Sequence, residues 1–442
     1  MCATQTVAPA SPELMQRLFA ARDRTDALFQ VVRPDSLYER PIPERHRIIF
    51  YIGHLEAFDW NLLHERALCL KTLHPEFDRL FAFGIDPVGS GLPSDQPQDW
   101  PPLDQVRAYV AHTRAALDDR LASLESASQS GDGFPLTALL NVAIEHRLMH
   151  AETLAYMLHQ LPLDRKIPQP APPRPTAAPV IDQMRNIPAG EATLGLSRGA
   201  GAFGWDNEYE SHTVHVPAFA IDRYKVTNRQ YLDFISAGGY HTRSLWSDDD
   251  WNWKTARAIS HPAFWKPAGD HWLCRTMFEE IPLRLEWPAY VSQAEAQAYA
   301  RWAGKSLPTE AEWHRAAFAT ANGTERALPW GSAPPSPNLG NFDFTAWDPA
   351  PVNAFPESQS AFGVEDMMGN GWEWTSTRFA PFLGFQPFPF YRGYSADFFD
   401  GKHFVMKGGS ALTAACMLRR TFRNWFQAHY QYVYAGFRCV SR

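Results

Sequence analysis

The sequence predicts a multidomain α and α+β protein, a four-helix bundle followed by a mixed domain with little regular structure. Three observations predict it. From Ser11 to about Leu161, apolar residues recur at helical spacing. Residues 162–179 are too rich in proline to continue a helix or enter a central strand. From Val180 onward the texture changes to short β-like runs such as Thr213-Val214-His215-Val216, separated by Gly, Pro and Asn turns. At 442 residues the chain exceeds one typical core, and two or three domains are expected.

Each element has a local reason. Ser11 reads as an N-cap with Pro12 at the first helical position, and Leu14, Leu18, Ala21 and Thr25 follow at helical spacing. A second helix is predicted over 43–70 and a third over 103–124, with a fourth inside the apolar segment 139–161. Bundles of this kind build metal sites from inward-facing side chains. Pro162, Pro168, Pro170, Pro172, Pro173 and Pro175 favour extended polyproline geometry, so 162–179 reads as a semi-rigid linker. In the second half one clear helix is predicted, Ser292 to Ala303, opened by a Ser292/Glu295 capping box. The expected division is therefore 11–161, 162–179 and 180–442.

Composition narrows the function. A net charge of -7 gives no electrostatic reason to expect nucleic acid or an anionic membrane as partner. Hydrophobic content of 45% with 14% aromatic residues fits well-buried globular domains. No stretch approaches about eighteen consecutive apolar residues, so no membrane helix is expected. The first residues lack the basic and apolar regions of a signal peptide. Five irregularly spaced cysteines (Cys2, Cys69, Cys274, Cys416, Cys439) without a CxxC favour a reduced, cytoplasmic setting.

The chemistry concentrates in the fourth predicted helix. His146 and His150 stand one turn apart, on one face, where two imidazoles can chelate one metal ion. Iron, zinc, copper and nickel all suit such a pair. A third ligand is expected from the facing helix, and His54 qualifies because its neighbours are mostly apolar. His46 and His64 lie among charged residues and read as solvated. His159 is rotated about half a turn away from His150. Glu152 reads as an orienting partner, and Arg147 excludes the HExxH pattern of zinc proteases.

His54 with His146-x3-His150-x-Glu152, in a DinB-like bundle, resembles the non-haem iron site of the ergothioneine-type sulfoxide synthases. The second half resembles the formylglycine-generating-enzyme fold, related to C-type lectins. The matching segments are Tyr224-Lys225-Val226-Thr227-Asn228, Leu307-Pro308-Thr309-Glu310-Ala311-Glu312-Trp313, Gly369-Asn370-Gly371-Trp372-Glu373-Trp374-Thr375, Lys407-Gly408-Gly409-Ser410 and Ala435-Gly436-Phe437-Arg438. The resemblance implies Fe(II) held by His54, His146 and His150, and O2-dependent joining of a chalcogen nucleophile to hercynine, Nα-trimethylated histidine. It implies no peptidyl-cysteine oxidation, because the segment 411–418 holds one cysteine, Cys416, where formylglycine-generating enzymes need a pair.

The resemblance also implies substrate groups. Asn424 and Trp425 match the segment that contacts hercynine, and an aromatic face suits a trimethylammonium group. Tyr391 and Tyr394 are candidates for the proton donor near the metal. Three departures bear on the nucleophile. Met149 stands where ergothioneine enzymes commonly carry Gln. Phe426 stands where users of γ-glutamylcysteine carry Asp, and Phe83 lies where users of cysteine carry a tyrosine pair. Neither amino-acid thiol has its anchor, which points to the selenoneine-synthase branch with a selenosugar nucleophile. The alternatives are a sulfoxide synthase using cysteine or γ-glutamylcysteine, and a non-catalytic metal-binding or lectin-like module.

Overall fold

The structure is a computed structural model describing residues 12–82, 92–123, 134–170, 174–181 and 183–442. The chain divides into two compact units, Met1–Gln169 and Pro170–Arg442. Within the proline-rich segment, Lys166 bridges to Val32 in the first unit, and Arg174 pairs with Asp348 and Glu279 in the second.

Among its described residues the first unit contains four long helices, α1 (Pro12–Gln30), α2 (Ile48–Leu63), α4 (Leu103–Ala122) and α5 (Leu136–Gln160), with a short α3 (Pro75–Leu80). α1 packs on α5, and α2 packs on both α4 and α5. Leu14, Leu18, Ala21, Thr25 and Leu28 form the buried stripe of α1, at the spacing an amphipathic helix requires. The expected cap Ser11 and the end of the third predicted helix at Leu124 lie outside the described residues. α2 is shorter than the predicted 43–70: Arg47 is still extended before Ile48, and Cys69 adopts a left-handed conformation beyond the helix. Cys69 is disulfide-bonded, unlike the reduced state expected from the sequence, whereas Cys274, Cys416 and Cys439 form no disulfide.

α5 is buried on nearly every side. Its buried positions include Glu145, His146, Arg147, His150, Glu152 and His159 as well as the expected apolar residues. Buried polar groups need partners. The partners of Arg147 and the histidines define the site below. Among the described residues no helix is long and apolar enough to cross a membrane.

The second unit is mixed. β1 (Met184–Ile187) and β12 (Val440–Ser441) flank β4 (Phe219–Asp222), both antiparallel to it. β2 (Gly190–Leu194) pairs with β3 (His212–Val216), and β5 (Trp265–Ala268), β6 (His271–Arg275) and β7 (Glu280–Pro282) form a meander. A four-stranded sheet runs in the order β10 (Asn424–Gln427), β9 (His403–Lys407), β8 (Trp372–Arg378), β11 (Ala435–Gly436).

Four helices occur among the described residues of this unit, not the one the sequence predicted: α6 (Asn228–Ser236), α7 (Asp248–Ala256), α8 (Gln293–Trp302) and α9 (Glu310–Phe318). α8 is the predicted helix. α6 and α9 begin with the same device, a capping box of Thr227 with Gln230 and of Thr309 with Glu312. α7 starts at Ser247, whose hydroxyl accepts from the Asp250 amide. These helices have nine residues each, too few for an apolar period to stand out.

The family-like motifs converge inside this unit. The Glu373 carboxylate accepts from Arg438 at 2.7 and 2.9 Å and from the Trp313 indole at 2.9 Å, with the Lys225 ammonium 3.4 Å away. All four side chains are buried. Burial alone would raise the Glu373 carboxyl, but Arg438 and Lys225 hold it below the usual carboxylate range. Residues from four of the five quoted segments thus form one ionic knot beside the apolar core of Ile187, Ile221, Trp313 and Met367.

Candidate metal centre

α2 and α5 carry the site. One turn of α5 separates His146 from His150 and brings their Nε2 atoms to 3.1 Å. α2 supplies His54, whose Nε2 lies 3.3 Å from that of His150. The three residues form a group of metal-ligand type among the described residues, with ligand atoms within 4.8 Å of one another. All three are buried, at 2–3% exposure.

Burial pushes the His54 imidazolium down to about 4, and pushes His146 and His150 well below the ordinary histidine value. His150 and His54 lower His146 further, His54 and Arg45 lower His150, and Arg147 adds to the effect at all three. At neutral pH the rings are therefore uncharged and carry lone pairs. The Nδ1 of His54 lies 2.7 Å from the Phe81 carbonyl. A carbonyl only accepts, so the proton sits on Nδ1 and the Nε2 lone pair faces the other two histidines.

Three mutually facing Nε2 atoms suit a cation. At most one ring N–H can be shared within the cluster, whereas a metal satisfies all three lone pairs. A metal–nitrogen bond of about 2.1 Å with right-angle geometry separates two ligand nitrogens by about 3.0 Å. The observed 3.1 and 3.3 Å are close to that separation. The residues present fit a bound metal ion.

Aromatic side chains pack around the triad. Phe58 stacks on His146 at 3.4 Å between ring centroids, and Phe50 on His54 at 4.8 Å. Gly53, directly before His54, lets the Phe81 ring lie against the helix backbone, since a Cβ there would sit 2.5 Å from that ring. Phe81 therefore depends on Gly53 for its place, and His54 depends on Phe81 for its tautomer. Sequence reasoning missed both. The signal for the first was a glycine in mid-helix, which marks a close approach.

His159 is buried but outside the cluster. His46 and His64, expected to be solvated, are partly buried instead. His46 lies against Phe50 at 4.3 Å, and His64 stacks on Trp60 at 5.1 Å. Their aromatic neighbours one turn away cover them despite the charged residues adjacent in sequence.

Met149 is half-buried on α5 between the two ligand-type histidines, and Phe83 lies outside the described residues. In the second unit, Trp425 stacks on Phe379 at 4.2 Å and 5°, with Tyr394 edge-on at 5.3 Å and Phe398 at 5.7 Å. Tyr394 is itself buried against Trp205 at 4.0 Å, and Tyr391 is 5.5 Å from it. Trp425, Tyr391 and Tyr394 therefore share one aromatic group. Strand alternation sends Asn424 and Phe426 to the other face of β10 from Trp425. There Phe426 stacks on Tyr430 at 5.0 Å.

Comparison with known proteins agrees with this two-part build. Residues 17–154 match the DinB superfamily, and residues 170–442 match the sulfatase-modifying factor enzyme 1-like domain. A hercynine oxygenase of Mycolicibacterium smegmatis is 36% identical, across 97% of this chain and 98% of the relative. A hercynine oxygenase of Mycobacterium tuberculosis is 37% identical, across 76% of this chain and 77% of its own. Ergothioneine biosynthesis protein 1 of Neurospora crassa is 27% identical, across 93% of this chain and 55% of the relative. With both domains matched in order and full-length identity above a third, the chain belongs to the hercynine oxygenase family of oxygenase-type enzymes.

Proposed function

We propose that this enzyme binds Fe(II) at His54, His146 and His150 and uses O2 to join the imidazole of hercynine to a selenosugar. The observation that carries the reading is the convergence of three uncharged, buried Nε2 atoms within 3.1–3.3 Å along the His54–His150–His146 series. Zinc fits such ligands but has no redox chemistry, and the relatives are named as oxygenases. Iron(II) held by three neutral ligands would supply O2 reduction and deprotonation of a bound selenol. In the balance proposed, an imidazole C–H and an Se–H are lost and a C–Se bond forms. One atom of O2 leaves as water and the other remains on selenium.

The chain's own residues perform the rest. The Phe81 carbonyl fixes the tautomer of His54, and Phe50 and Phe58 keep water from the ring faces. Trp425 with its aromatic neighbours offers a face to the trimethylammonium group, whereas Asn424 projects from the other face of β10 and is not part of that aromatic group. Tyr391 and Tyr394 carry phenolic O–H groups for proton transfer. Met149, Phe426 and Phe83 support a nucleophile without the ammonium and carboxylate of an amino acid, because none of them can form an ion pair or a charge-assisted hydrogen bond. The second reading, a sulfoxide synthase using cysteine or γ-glutamylcysteine, is favoured by a relative named for ergothioneine biosynthesis.

O2 uptake with Fe(II), hercynine and each nucleophile separates these readings. Fastest turnover with the selenosugar is expected. Faster turnover with cysteine or γ-glutamylcysteine would favour the second reading, and no turnover with any nucleophile would leave a non-catalytic metal-binding module.

A further inference from the structure

We propose, on the reading that the histidine triad holds a metal, that Arg147 is a positioning residue for that site. Its guanidinium locks α2 and α5 in the register that aims His54 at the His146–His150 pair.

Arg147 is wholly buried, although it sits next to His146 in a mostly apolar helix. Its Nη1 donates to Glu56 Oε1 at 2.9 Å, and its Nη2 donates to Asp59 Oδ2 at 2.6 Å and to the Leu55 carbonyl at 3.0 Å. A longer contact reaches the Thr25 hydroxyl at 3.5 Å. Leu55, Glu56 and Asp59 span the turn of α2 that directly follows His54. A planar fork gripping acceptors at both ends of one turn resists rotation as well as sliding, which a single ammonium could not.

The grip extends through the bundle. Glu56 Oε1 also accepts from Arg114 of α4 at 2.7 Å, and Arg114 donates to Asp26 of α1 at 2.6 Å. All four long helices are thereby tied to the turn after His54. Stability alone is a weak reason for such a network, because well-packed apolar residues of similar volume do as well or better. Alignment is a stronger one, since a metal constellation works only when its ligands are held within about 0.5 Å.

The test is Co(II) titration of the full-length apoprotein, followed by visible absorption and paired with thermal unfolding. Arg147→Lys keeps the charge and loses the fork. Arg147→Met/Asp59→Leu removes the charge together with the carboxylate it would leave unpaired. Both should fold and bind Co(II) roughly 10- to 100-fold more weakly than the wild type, with an altered visible spectrum. Wild-type affinity and spectrum in either variant would overturn the proposal and leave Arg147 a purely structural role. If the double variant does not fold, Arg147→Lys decides alone. A wild-type protein that fails to bind Co(II), or a His150→Ala variant that binds it normally, would instead remove the triad reading itself, and the proposal with it.

Discussion

The ionic knot of the mixed unit and the histidine triad of the helical unit are both buried and both polar, but they are built oppositely. Around Glu373, every charge faces its complement: Arg438 and Lys225 are the cations, and Trp313 adds a donor. In the triad, three groups of the same kind face one another, and burial holds all three uncharged. A complete set of complements marks a structural site. A converging set of like lone pairs marks a place for something the chain does not itself supply. The motif residues of the mixed unit fall in the first class here, and the residues proposed to hold a metal fall in the second.

That contrast can be broken by experiment. Arg438→Met should have the larger effect on folding. It leaves the Glu373 carboxylate buried with less compensation, and breaking such a pair costs about 3–5 kcal/mol. Urea unfolding should show that loss, while the folded fraction keeps the wild-type metal content per chain. A change below about 1 kcal/mol would mean that the knot is not what holds the unit. Trp425→Ala should have a smaller and more selective effect. Loss of a cation–π contact of about 0.5–2 kcal/mol should raise the KM for hercynine several-fold and leave that for the nucleophile unchanged. Equal rises in both would assign Trp425 to packing against Phe379.

Much of this was legible in the sequence because it is local. His146 and His150 are four apart on one helix, and the apolar neighbours of His54 announce its burial. The same holds for α8, whose capping box is complete within four residues. α6 and α9 carry equivalent boxes but only nine residues, so the cap was present without a period to confirm it. What was missed depends on contacts far apart in the chain. Phe81 lies 27 residues from His54, and Arg147 lies 91 and 88 residues from Glu56 and Asp59. In sequence, Arg147 only excluded a protease pattern. In the fold it is the hinge pin between the two ligand-bearing helices.

The most direct test of the central claim is the iron content of the full-length protein after anaerobic reconstitution with Fe(II), in the wild type and in His150→Ala. The triad predicts one iron per wild-type chain and essentially none in the variant, with the helical circular dichroism unchanged. Full iron occupancy in a folded His150→Ala protein would contradict it.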